Sequence, residues 1–205
     1  MKMSFKERVS ELYFDEQLSR LYELLPFLKP RIDYGYEVIN KNLYEDCLAH
    51  RDSYKRVLRD EVLLMVHHEF ALFSPHKERY EDLISNYQQG LDELISIARR
   101  GDWSIALFTF PELYVHHKGL IERGSYDTAF FTQFCKGVPY NDDLSELKPK
   151  SLFISGCYGE FCIKELIHNL KLIGCEDMTL VPEAVLLPPK DEFISFSGLD
   201  ELKIY

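Results

Sequence analysis

The chain has 205 residues, 46% of them hydrophobic, with 13 Tyr and 14 Phe. That suits one domain with an elaboration and excludes wholesale disorder. The net charge of −10 argues against nucleic acid and anionic membrane as partners, because both need clustered positive charge. The five cysteines, Cys47, Cys135, Cys157, Cys162 and Cys175, are odd in number and form no CxxC pair, which is the usage of a reduced, intracellular protein. Residues 1–8 are charged and carry no signal-peptide pattern. The longest apolar runs fall far short of a membrane span, so a cytoplasmic location is expected.

In chain order, residues 4–26 read as an amphipathic helix. Ser4 and Glu7 make a capping-box pattern, Phe5, Val9, Leu12, Leu18, Leu21 and Leu25 form the apolar stripe, and Pro26 and Pro30 stop it. Residues 41–58 read as a second, more polar helix. Residues 1–58 are therefore expected to be a helical extension, and residues 59–205 the main domain. There, Val62-Leu63-Leu64-Met65-Val66 has the continuous apolar character of a strand covered on both faces. A helix is predicted over 77–100, with Tyr80, Leu83, Ile84, Tyr87, Leu91, Leu94 and Ala98 on one face and Gly101 as its stop. A strand follows over 103–110, closed by Pro111. A third strand is predicted over 120–122, a short helix over 129–135, and a loop with a turn of helix over 137–149. The last elements are a strand over 151–155, a helix over 160–173 ended by Gly174, and a strand over 178–181. Strands separated by helices of this length predict βαβ units, a mainly parallel sheet and a three-layer α/β/α sandwich.

The segment 151–163 is the most informative. The apolar run Ser151-Leu152-Phe153-Ile154-Ser155 meets the small-residue turn Gly156-Cys157, and Cys162 follows where a helix begins. A parallel strand delivers the chain to the carboxyl edge of a sheet. The helix amino end then offers free N–H groups and a positive partial charge. That position favours thiolate over thiol, and thiolate is the nucleophile. The same thiol could also be a packing residue, since free cysteine is among the most buried residue types.

Five segments in this order resemble the isochorismatase-like cysteine hydrolases. They are the opening strand through Val62 to Phe70, the helix ending Ile97-Ala98-Arg99 before the next strand, and Thr128-Ala129-Phe130-Phe131-Thr132. The other two are Gly156 followed six places on by Cys162-Ile163, and Gly174 followed by Met178-Thr179-Leu180-Val181 with Glu183-Ala184. The likeness spans roughly residues 60–190. It implies a sheet of order 3-2-1-4-5-6, an oligomer, and no cofactor. The family's catalytic set is an aspartate, a lysine and a cysteine. The cysteine carries over to Cys162. His67 stands at the aspartate position and Gly124 at the lysine position, with the neighbouring Arg123 as the candidate cation. Backbone N–H groups near Cys157, Tyr158 and Phe161 would form an oxyanion pocket.

Neutral imidazole at His67 could take a thiol proton near pH 7, and the alternative is a histidine satisfied by backbone at a strand end. His116 and His117, with Glu112 upstream, invite a metal reading, but adjacent histidines ligate one ion poorly and no metal is expected. Tyr114, Tyr126 and Tyr158 are candidates to line a pocket over Cys162. Three functional readings result: a hydrolase of small amides, esters or related substrates, a non-catalytic ligand-binding relative, and a homo-oligomeric interaction module built on the helical extension.

Overall fold

A computed structural model describes residues 41–68, 81–132, 142–157, 162–186 and 203–204. The helix expected over 4–26 lies outside the described residues. The described elements are α1 (Lys41–Tyr54), β1 (Glu61–Val66), α2 (Glu81–Arg100), β2 (Ser104–Thr109), α3 (Pro111–Glu122), β3 (Thr128–Phe131), a 3-10 turn (Ser145–Leu147), β4 (Ser151–Cys157), α4 (Lys164–Ile173), β5 (Met178–Leu186) and β6 (Lys203–Ile204).

The sheet runs in the order β3-β2-β1-β4-β5-β6, and every adjacent pair is parallel. Every residue of β2 and β3 is buried, as is every residue of β1 after Glu61. That is the pattern of strands sandwiched between two layers. Alternate residues sort into two cores. Leu63, Met65, Ile105, Leu107, Ala129 and Phe131 pack against α1, α2 and α3 through Tyr44, Cys47, Ile84, Leu91, Leu94, Tyr114 and Leu120. Val62, Leu64, Val66, Ala106, Phe108, Phe130 and Ile154 pack against α4 through Ile163, Leu166, Ile167 and Leu170. Helices thus cover both faces of a parallel sheet. The contact with α2 is so close that a Cβ on Gly90 would stand 2.0 Å from the carbonyl oxygen of Glu183 on β5. This explains a glycine in mid-helix, where alanine is otherwise better by about 1 kcal/mol.

Two sequence expectations are corrected. Residues 120–122 are the last turn of α3, not a strand. Pro111 starts the helix at a position that tolerates its missing N–H, and Leu113, Tyr114, His117, Leu120 and Ile121 form its buried stripe. The segment from Thr128 to Phe131 is β3, not helix, because all four residues pair with β2, from Ala106–Thr128 to Thr109–Phe131. Elsewhere, the helix expected over 41–58 stops at Tyr54, and the strand expected over 178–181 runs on to Leu186. It does so through Pro182, where the β4–β5 register shifts, since proline cannot donate to a ladder.

β3 stands at the outer edge of the sheet, and α1 closes that edge. The Arg51 guanidinium donates to the Ala129 carbonyl at 3.3 Å and pairs with Asp142 at 2.6 Å, while the other Asp142 oxygen accepts from the Phe131 N–H at 2.5 Å. The two side chains occupy the backbone groups that a further strand would use. His50 ties α1 to α3 as well, with Nδ1 3.0 Å from the Tyr114 hydroxyl and Nε2 2.9 Å from Glu122.

Candidate active site at the carboxyl edge

The strand order reverses direction at β1. The connections from β1 to β2 to β3 run through α2 and α3 on one face, and β4 joins β5 through α4 on the other. Between β1 and β4 the carboxyl ends therefore part in opposite directions, which is where open α/β sheets bind ligands. His67 follows β1 there, and Cys157 ends β4, one residue beyond the paired Val66 and Gly156.

Backbone conformation at this point is unusual. Gly156 has φ +124°, and a Cβ on it would lie 1.9 Å from the Val66 carbonyl oxygen, so only glycine fits. His67 has φ +43°, a left-handed conformation that costs a non-glycine residue on the order of 1–2 kcal/mol. The direction of its ring shows what this achieves. In continued strand alternation, residue 67 would follow Leu63 and Met65 toward α2 and α3. Instead, the His67 ring lies tilted against Phe110, with ring centroids 4.5 Å apart, and places Nε2 2.6 Å from the Thr132 hydroxyl. Phe110 has extended backbone, so it and Thr132 continue the alternation of Phe108 and Phe130, which face α4. The left-handed turn thus carries the imidazole across to the α4 side. His67 is fully buried, as are Thr109 and Ser155. Thr132 also donates to the Thr109 carbonyl, at 3.4 Å.

Cys162 lies on that same α4 side, within the core of Val66, Phe108, Ile163 and Leu166. A wider, π-type turn at Cys162 and Ile163 precedes α4, a distortion common at functional sites. The expectation of a pocket over Cys162 is not matched by its exposure: the residue is 2% exposed. Tyr158 and Phe161, the other expected pocket residues, lie outside the described residues. Cys157 is fully buried on the opposite face, where its thiol points to the His68 carbonyl at 3.9 Å, so its side chain does not join Cys162.

Arg123 is not brought to the site. It is the exposed C-cap of α3. The 12 residues of that helix carry the chain about 18 Å from the carboxyl edge back to the start of β3. Thr132 is the residue that sequence reasoning missed. Its signal is one of register: it stands one residue beyond the Thr109–Phe131 pair, at the carboxyl end of β3, on the same edge as His67. Tyr114 and Tyr126 belong to the α2–α3 core, not to the surroundings of Cys162. Tyr126 forms a buried ring cluster with His68 and His117, at 6.0–6.3 Å from them, and the two histidine rings are 5.6 Å apart. Among the described residues no group of three His, Cys, Asp or Glu side chains could hold a metal ion, and no helix is long and apolar enough to cross a membrane.

The other described thiols are chemically quiet. Burial pushes Cys47 up to about 11, and burial also raises Cys175, so neither is a thiolate near neutral pH. Cys47 donates to the Pro111 carbonyl at 3.5 Å. No protein-family model matches the chain, and no curated protein matches it either.

Proposed function

We propose that the protein is a divergent relative of the isochorismatase-like cysteine hydrolases, with its working site at the carboxyl edge between β1 and β4. Cys162 is the nucleophile and His67 the proton carrier, and the substrate is a small amide, ester or related compound. The thiolate attacks the substrate carbonyl carbon and forms a thioester, the leaving group departs with the proton taken up by His67, and water then cleaves the thioester to restore the thiol. Arg123 has no part in this reading.

The observation that carries it is the left-handed φ of His67. A non-glycine residue held there at a cost in backbone energy, with its imidazole turned to the side that holds Cys162, fits the concentration of strain at working sites. The parallel sheet and its reversal at β1 supply the location.

One observation favours a second reading. The 2% exposure of Cys162 in apolar packing suits a protein that keeps the fold and binds a ligand or a protein partner without catalysis. Alkylation by iodoacetamide at pH 7.5, mapped by mass spectrometry, separates the two. The hydrolase reading expects Cys162 to react faster than free cysteine in solution and at least tenfold faster than Cys47 and Cys175. A rate at Cys162 no greater than theirs removes the hydrolase reading and leaves the binding one.

A further inference from the structure

We propose that Thr132 is a positioning residue that fixes which nitrogen of His67 is basic. The inference rests on the reading of His67 as the proton carrier, and it concerns a residue outside the expected catalytic set.

The argument is one of donors and acceptors. The Thr132 hydroxyl has a single hydrogen, which we assign to the Thr109 carbonyl 3.4 Å away, because a carbonyl can only accept. The hydroxyl oxygen therefore faces His67 Nε2 with a lone pair, at 2.6 Å. Two lone pairs do not make a hydrogen bond, so Nε2 carries the hydrogen and donates it. In a neutral imidazole the other nitrogen then holds the lone pair. Nδ1 is the atom that takes up a proton, and Nε2 is held as a permanent donor. Thr132 itself is held in place: its backbone N–H donates to the same Thr109 carbonyl at 3.0 Å, its side chain is buried, and the ring it meets is braced by Phe110. The relay from Thr109 to Thr132 to His67 links β2, β3 and β1, so the sheet itself orients the imidazole, just as a bound partner on one ring nitrogen sets the tautomer in other histidine sites.

The test is nitrogen-15 NMR of the histidine-labelled protein at pH 8, where a free imidazole is neutral, with the His67 signals assigned by their loss in His67→Gln. Nε2 in the protonated, pyrrole-type range and Nδ1 in the pyridine-type range are expected. Thr132→Ser should keep that pattern, and Thr132→Val should shift both signals toward a mixture of tautomers. A wild-type spectrum with the hydrogen on Nδ1, or with both nitrogens protonated, overturns the proposal, and so does a Thr132→Val spectrum identical to wild type. If the valine variant does not fold, the wild-type and serine spectra decide on their own. Slow alkylation of Cys162 together with protonated Nε2 would remove the hydrolase reading and leave the positioning role standing, so the two failures are distinguishable.

Discussion

The two edges of the sheet are built differently. At the amino edge, polar side chains fasten the strand starts, and the turn before β2 holds Asp102 at a left-handed φ of +61°. Asp127 accepts from the Ile105 N–H at 2.8 Å, Ser104 from the Arg59 N–H at 3.0 Å, the Ser151 hydroxyl bonds Asp177 at 2.6 Å, and Lys150 donates to the Leu58 carbonyl at 3.1 Å. At the carboxyl edge, the chain is held in left-handed conformation at His67, at a glycine-only angle at Gly156, and in a widened turn at Cys162. Buried polar groups such as His67, Thr109, Thr132 and Ser155 collect there. The amino edge is mainly a set of fastenings, whereas at the carboxyl edge unusual backbone and buried polar groups coincide. The fold tolerates that backbone because both faces of the sheet are deeply packed, and it occurs where chemistry would need fixed, desolvated groups.

Substitutions can break this contrast. The largest effect is expected at the carboxyl edge, where Gly156→Ala would drive a Cβ into the Val66 carbonyl at 1.9 Å. A loss of about 3 kcal/mol or more, or failure to fold, is expected, and urea denaturation measures it. A loss under about 1 kcal/mol would show that the two strands can separate there, and the edge would not be strained as described. At the amino edge, Asp127→Asn keeps an acceptor but loses its charge. The bond to the Ile105 N–H then weakens from charge-assisted to neutral, a cost of about 1 kcal/mol with no change in the reactivity of Cys162. A larger loss there than for Gly156→Ala would reverse the comparison.

The smallest effect at working pH comes from Cys47, on the buried face of α1. Its thiol ionises at about 11 in the fold, mainly through burial, against 9.0 for an unburied cysteine thiol. A folded-state value raised above the unfolded one contributes stability that is fully present below about pH 9 and is lost as pH climbs toward 11. Denaturation midpoints across pH 7–11 should be flat and then fall for the wild type, with a shallower fall in Cys47→Ala. An identical fall in both proteins would assign the alkaline loss to another group.

Legibility in the sequence follows the same division. β1, β2 and β4 can be read directly, because runs such as Val62-Leu63-Leu64-Met65-Val66 have only one stable placement, buried on both faces. The helix α2 shows itself by its stripe of Ile84, Tyr87, Leu91, Leu94 and Ala98. The segment 111–132 misleads, since Leu120-Ile121 is equally apolar as a helix end and as a strand, and Thr128-Ala129-Phe130-Phe131 acquires its strand geometry only from pairing with β2. That ambiguity hides Thr132, while Arg123, named only as the neighbour of the lysine position that the resemblance implies, sits at the far end of α3 from the carboxyl edge.

Local pattern alone therefore determined the alternation of strands and helices, the parallel sheet that follows from it, and the placing of Cys162 after a strand and before a helix, for these depend on hydrophobic period and on glycine at turns. Only the tertiary structure decided that His67 turns its ring toward the α4 face, that Thr132 meets it, and that Cys162 lies within apolar packing. Those facts depend on register between distant strands and on one left-handed φ, and neither is encoded in the spacing of residues along the chain.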